Sequence, residues 1–76
     1  MARQELINLC NQYEVTMGEF EGYQTQIGNH PRAKALADEA QQKLVKLANT
    51  LRHYGIQVNP YDPDDTTVGQ WLLDNE

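Results

Sequence analysis

Apolar residues recur along the first third of the chain at alternating steps of four and three. The stripe runs through Leu6, Cys10, Tyr13, Met17 and Phe20, passes the polar position Gln24 and reaches Ile27. Because an α-helix turns once every 3.6 residues, steps of four and three place these side chains on one helix face. We predict a helix from residue 3 to residue 27, with this face buried.

The middle of the chain repeats the same rhythm with smaller residues. Its stripe consists of Ala33, Ala37, Ala40, Leu44, Leu47, Leu51 and Tyr54, with Leu36 and Ala48 at its flanks. We therefore predict a second helix from residue 31 to residue 54, and we expect its alanines to accommodate larger side chains from the first helix.

A short connection, residues 28–31, joins the two predicted helices. Gly28 can adopt the left-handed conformation that ends a helix, and Pro31 suits the first turn of the next. A connection this short requires antiparallel neighbours, and the resulting register places Phe20 opposite Ala40. The sequence therefore predicts a helical hairpin.

The chain after the second helix has a different character. Gly55 is a helix-ending glycine, and Ile56 behind it is positioned to fold back onto Leu51. We predict extended and turn structure over residues 56–65, where two prolines and several aspartates occur, and a short third helix over residues 67–74. The predicted fold is all-α, one helical domain over residues 1–76.

Size limits how stable such a hairpin is alone. A core in a chain of 76 residues supplies about 3–5 kcal/mol, and small folds usually add a disulfide, a metal or a partner chain. Cys10 is the only cysteine, which excludes an intrachain disulfide and a cysteine-based zinc site. We therefore expect a homodimer, with two hairpins forming a four-helix bundle, or a complex with another protein.

Charge is segregated along the chain, although the net charge is −5. Residues 1–30 carry one arginine against four glutamates, residues 31–54 carry five basic against two acidic residues, and the remainder carries five acidic residues alone. An acidic protein repels phosphates, so we expect nucleic acid to be disfavoured as a partner. The alternative function is a nucleic-acid-related regulator. It would act either by RNA contact through Lys34, Lys43, Lys46 and Arg52 or by mimicry of DNA by the acidic residues.

Candidate chemistry is sparse in this sequence. Cys10 lies about one turn from His53 in the predicted register, yet its position on the buried stripe favours packing over nucleophilic catalysis. The aspartates at 62, 64 and 65 lack the spacing of a calcium loop, and acidic residues are common before a helix. We expect no catalytic residue, no metal, no cofactor and no small-molecule substrate.

Five residues are candidates for partner binding. Gly18 and Gly22 either form a strip without side chains on the outer face of the first helix or mark a kink in it. Trp71 and Leu73 belong to an apolar cluster near the acidic terminus, which suits either a pocket on a partner or the small core. We favour core packing for Trp71 and expect Leu73 and Tyr61 to be exposed.

The function that these observations favour is a non-enzymatic protein-interaction module: an adaptor, an assembly factor or a small inhibitor. The first residues lack the layout of a secretion signal, and no apolar run approaches the roughly 18 residues of a membrane span. We therefore expect a cytoplasmic regulator without membrane contact.

Overall fold

The structure, a computed structural model, describes residues 2–75. They form three helices in the order α1 (Arg3–Thr25), α2 (Ala33–His53) and α3 (Thr67–Asn75). The first two pack against each other as a hairpin, and the short third helix packs against α1. The predicted fold class, an all-α helical hairpin with a short C-terminal helix, is confirmed.

The seam between α1 and α2 combines small and large side chains. α2 buries one continuous stripe of residues, namely Ala33, Ala37, Ala40, Leu44, Ala48 and Leu51. α1 contributes Cys10 and Tyr13 as buried residues, and Met17 and Phe20 are partly buried against the core. The alanines leave room for the bulkier residues of α1, which keeps the two helices close together.

The buried face of α2 is rotated slightly from the predicted one. Ala48, placed at the flank by the sequence pattern, is fully buried, whereas Leu47 is only half-buried. Tyr54 follows the last residue of α2 and is 43% exposed. The rotation arises because α2 faces both α1 and the chain after residue 55, which covers the Ala48 side.

α1 ends earlier than the sequence pattern suggests. Its last residue is Thr25, and a turn follows in which the N–H groups of Asn29 and His30 both donate to the Gln26 carbonyl at 2.9 Å. Gly28 has a φ of 93° within this turn. Ile27 therefore lies in the connection rather than on the helical stripe, and it is 47% exposed.

The C-terminus of α2 is closed by a Schellman motif at Gly55, as the sequence predicts. The N–H of Ile56 donates to the Leu51 carbonyl and the N–H of Gly55 to the Arg52 carbonyl, each at 3.0 Å. Gly55 has a φ of 93°, a conformation that favours glycine. The motif reverses the chain and places buried Ile56 beside buried Leu51.

The segment from residue 56 to residue 75, called the tail below, completes the core on one side of the hairpin. Ile56, Val58 and Pro60 are buried along it, and Val68 and Leu72 bury the inner face of α3. The Gln41 side chain donates to the Pro60 carbonyl at 3.0 Å, and the Arg3 guanidinium donates to the Asn75 carbonyl. The tail therefore packs on its own hairpin.

α1 continues through Gly18 and Gly22 without interruption. Both glycines are exposed, and a Cβ placed on either would meet no atom within 4 Å. The kink in α1 that the sequence pattern allowed as an alternative is therefore absent, and the two residues form a strip without side chains on the outer side of α1.

None of the three helices that residues 2–75 form combines the length and hydropathy that a bilayer crossing requires.

Replacing Gly55 by alanine tests the Schellman motif. A residue with a Cβ is strained at a φ of 93°, so Gly55→Ala is expected to lower the free energy of unfolding by about 1–2 kcal/mol. The matched change Gly18→Ala lies in a regular helix with open space around it and is expected to raise it by about 0.5–1 kcal/mol. Urea unfolding measures both, and effects of the same sign would contradict this description of the turn.

Candidate interaction surface

The side of the hairpin that the tail leaves uncovered holds an open groove of about 780 Å³. Every residue that lines it belongs to α1 or α2. Its aliphatic part comes from Val15, which is 64% exposed, and from half-buried Leu47. Side-chain amides from Asn8, Asn11 and Gln12, which precede Val15 on α1, also line the groove. The groove therefore combines accessible apolar area with groups that can donate and accept hydrogen bonds.

The charges along the groove differ between its two edges. Glu19 lies on the α1 edge, and Lys43 and Lys46 lie on the α2 edge. A smaller depression of about 290 Å³ extends the α1 edge toward its start, where Glu5 and Leu9 contribute to the lining. The surface is thus acidic along α1 and basic along α2.

A narrow cleft between the helices shows which charged residues of α1 and α2 lie near each other along the hairpin. This cleft, about 100 Å³ in volume, is lined by Glu19 and Tyr23 from α1 and by Glu39 and Lys43 from α2, among others. Glu19 therefore lies at the level of the α2 turn that carries Glu39 and Lys43. Glu39 adds one negative charge beside the two lysines, so the three together remain net positive.

The candidate residues of the tail do not form one patch. Leu73 and Tyr61 are 78% and 71% exposed, whereas Trp71 is half-buried and packs against the core. Tyr61 lines a small pocket with Met17, whereas the end of α3 is bonded to Arg3. At 1.5 Å per helical residue, Met17 and Arg3 are roughly 20 Å apart along α1, and so are the regions of the tail that they contact.

Val15 is the functional candidate that the sequence reasoning missed. It precedes Gly18 by three residues and Gly22 by seven, so all three share the outer side of α1. The signal that could have identified it is its heptad spacing from Gly22, on a face where its neighbours are polar. The predicted glycine strip therefore borders the groove.

The basic residues of α2 are only partly brought together. Lys43 and Lys46 line the groove, whereas Arg52 lies near the far end of α2 and donates to the Asn49 side chain at 2.7 Å. Lys34 is nine residues before Lys43, about 13 Å along the helix. An extended cationic stripe of the kind that follows a phosphate backbone does not result.

Cys10 lies in the interior and not in a reactive setting. Its side chain is fully buried, and desolvation, with the negative charge of Glu14, raises the pKa of the thiol. His53 is exposed, and its ring makes an edge-on contact with Tyr54 at a centroid distance of 5.3 Å. Burial disfavours the thiolate that nucleophilic chemistry needs, so Cys10 serves as a small apolar core residue.

The acidic residues before α3 organise the backbone of the tail. Asp65 accepts hydrogen bonds from the N–H groups of Asn59 at 2.7 Å and Thr67 at 2.8 Å, and Asp62 accepts one from the Asp64 N–H at 2.9 Å. Among residues 2–75, no cluster of three histidine, cysteine or acidic side chains is suited to a metal ion. These carboxylates therefore act as caps for turns and for the start of α3.

Asp65 shows what this capping does to a carboxyl group. Desolvation favours its protonated form, but the hydrogen bonds from Thr67 and Asn59 favour the charged form more strongly, so the pKa of Asp65 is lowered. The ionised carboxylate joins the turn after Val58 to the first turn of α3.

Tyr13 presents the opposite case, a polar group buried without compensation. Its side chain is almost fully buried, and its hydroxyl has no hydrogen-bond partner among residues 2–75. Desolvation, followed by the negative charge of Asp65, raises the pKa of Tyr13 to about 12. The phenol stays neutral at physiological pH and contributes its ring to the core.

Comparison with known proteins found no protein-family model, no curated protein and no solved structure that matches this chain.

The lowered pKa of Asp65 predicts a dependence of stability on pH. A carboxyl group whose folded pKa is below its unfolded value near 3.9 stabilises the fold at neutral pH, and this contribution is lost as the pH falls through the folded pKa. Asp65→Asn is therefore expected to be less stable than the wild type at pH 7, with a difference that shrinks toward about pH 2.5. Urea unfolding across this range measures it. Asp38→Asn, at an exposed site on α2, is the matched control, and equal pH profiles for the two variants would contradict the capping role.

Because the buried hydroxyl of Tyr13 has no hydrogen-bond partner among residues 2–75, we expect that removing it does not destabilise the fold. Losing a hydrogen-bonded buried hydroxyl usually costs about 1 kcal/mol, whereas Tyr13→Phe removes a group that is desolvated without a partner. The free energy of unfolding is therefore expected to stay the same or to rise by about 1 kcal/mol. Tyr54→Phe, at a partly exposed site, controls for the substitution itself. A loss above about 1 kcal/mol in Tyr13→Phe would reveal a partner for the hydroxyl.

Proposed function

We propose that this chain is a non-enzymatic protein-interaction module, an adaptor, assembly factor or small inhibitor, that works in the cytoplasm through the open face of its helical hairpin. The observation that carries the proposal is the groove of about 780 Å³ between α1 and α2. The tail completes the core on the opposite side, so this groove is free to receive another helix or loop.

The composition of the groove supports a protein as the occupant. Val15 and Leu47 offer aliphatic contact, the flanking amides can pair with polar groups, and Glu19 and Lys43 provide charges of both signs. Protein interfaces combine an apolar centre with a polar rim in this way. The mixed charge also argues against a phosphate backbone, which selects surfaces of one sign.

The acidic tail is proposed as a second contact region. Leu73 and Tyr61 are well exposed and lie among aspartates, so they suit a partner that has apolar pockets within a basic surface. Their separation along α1 makes them two contact points rather than one.

The proposed function is tested by changing the most exposed aliphatic residue of the groove. Val15→Glu places a charge on the open face without disturbing the core, because the side chain is 64% exposed. A tagged wild-type chain is expected to capture a specific protein from the cells that produce it, and Val15→Glu is expected to reduce the recovery at least about tenfold, the effect of roughly 1.4 kcal/mol. Quantitative mass spectrometry measures the recovery, and circular dichroism verifies the fold.

Ile27→Glu is the matched control, since it introduces the same charge at an exposed aliphatic residue outside the groove. Equal recovery with all three chains would contradict a role for the open face. In parallel, fluorescence anisotropy with single-stranded RNA tests the nucleic-acid alternative. Binding that weakens steeply with salt and disappears in Lys43→Glu would support that alternative against the proposal.

A further inference from the structure

We propose that the open face is occupied by a second copy of this chain, in a symmetric dimer that places α1 of each copy over α2 of the other. This inference rests on the proposed function and names the partner at that surface. The product is a four-helix bundle with the two tails on its outside.

The charge pattern of the face distinguishes between two symmetric arrangements. If the twofold axis lies in the interface and crosses the helices, α1 faces α1 and α2 faces α2. That arrangement brings acidic edges with Glu5 and Glu19 together and basic edges with Lys43 and Lys46 together, which is repulsive. If the axis runs parallel to the helices, the acidic edge of each copy meets the basic edge of the other.

The second arrangement also sets a register. An axis parallel to the helices leaves every residue at its own height, and Glu19 lies at the level of the α2 turn that carries Glu39 and Lys43, because all three line the same cleft. Glu19 of one copy therefore meets this turn of the second copy, where Lys43 and nearby Lys46 outweigh Glu39, and symmetry produces the contact twice. All neighbouring helices are antiparallel, as in up-and-down four-helix bundles.

The face is long enough for an extended contact between two copies. The chain measures 40 × 19 × 18 Å, and α1 and α2, with 23 and 21 residues, extend along its longest dimension. A stable, specific interface buries about 800 Å² on each partner, so the contact has to extend along the hairpin beyond the groove itself. Val15 and Leu47 would lie at its centre with Glu19 and Lys43 beside them, an apolar middle with charged surroundings.

Reversing one charge at a time tests the arrangement. In Glu19→Lys two lysines meet at each site of the proposed dimer, and in Lys43→Glu two glutamates meet. Each variant is expected to raise the dimer dissociation constant at least about tenfold, because the repulsion occurs twice. An equimolar mixture of the two variants pairs lysine with glutamate at both sites, so mixed dimers of near wild-type affinity are expected. Sedimentation equilibrium and native mass spectrometry of the whole chain measure both results.

Glu21→Lys and Lys34→Glu are the matched controls, since they make the same charge changes at exposed sites outside the groove lining. Their dissociation constants are expected to match the wild type within about twofold. The double variant Glu19→Lys with Lys43→Glu restores opposite charges at both sites and is expected to dimerise like the wild type. If it dimerises weakly, the loss of affinity in the single variants comes from a damaged fold.

Three outcomes would overturn the inference. They are a wild-type chain that stays monomeric up to about 1 mM, single variants that dimerise as well as the wild type, and a mixture that forms no mixed dimers. The proposed function survives these outcomes if Val15→Glu still abolishes capture of a different protein. Conversely, a dimer with the expected charge dependence but no captured protein supports the inference and removes the adaptor role.

Discussion

The reversal of the chain at Gly55 determines how the core of this protein is completed. Two helices alone bury a single seam, and the small side chains of α2 make that seam thin. The Schellman motif after α2 returns the chain along the hairpin, where Ile56 and Val58 cover the core from one side. Because the tail packs along this side, the opposite side of the hairpin stays open among residues 2–75.

The polar groups at the junction of hairpin and tail follow from the same arrangement. Asp65 holds the backbone turn that leads into α3, and its ionised carboxylate lies close enough to Tyr13 to raise the pKa of that phenol. The tail is therefore fixed by apolar burial in its first half and by backbone capping in its second. Among residues 2–75 the open face has no comparable set of hydrogen bonds, and its charges remain available for contacts with another molecule.

Much of this fold could be predicted from the sequence because local and global signals agree. The four-three rhythm, the short connection and Gly55 all indicate the same hairpin, and each depends on residues close together in the chain. The errors concern contacts with distant segments. Ala48 is buried and Leu47 only half-buried because the tail covers one side of α2. The spacing of apolar residues within α2 does not indicate where the tail packs.

The candidate site was less predictable than the fold. The exposure of Tyr61 and Leu73 could be predicted. The spacing of Val15 from Gly22 could have placed it on the outer side of α1, but its part in a groove could not be assigned before the uncovered side of the hairpin was known. Whether a groove between two helices stays open depends on where the rest of the chain packs. Sequence periodicity indicates which residues face outward, and it does not distinguish the covered side from the open side.

The attachment of α3 has a consequence for the life of the protein. This helix has nine residues, too few to be stable alone, and among residues 2–75 its helix contacts are with α1. It is therefore the element that detaches first, with a free energy well below that of global unfolding, and its amides should exchange with solvent earliest. Detachment exposes Val68 and Leu72, and proteases cleave segments that have lost their packing. The same short helix that completes the core thus makes the lifetime of the chain depend on how often α3 detaches.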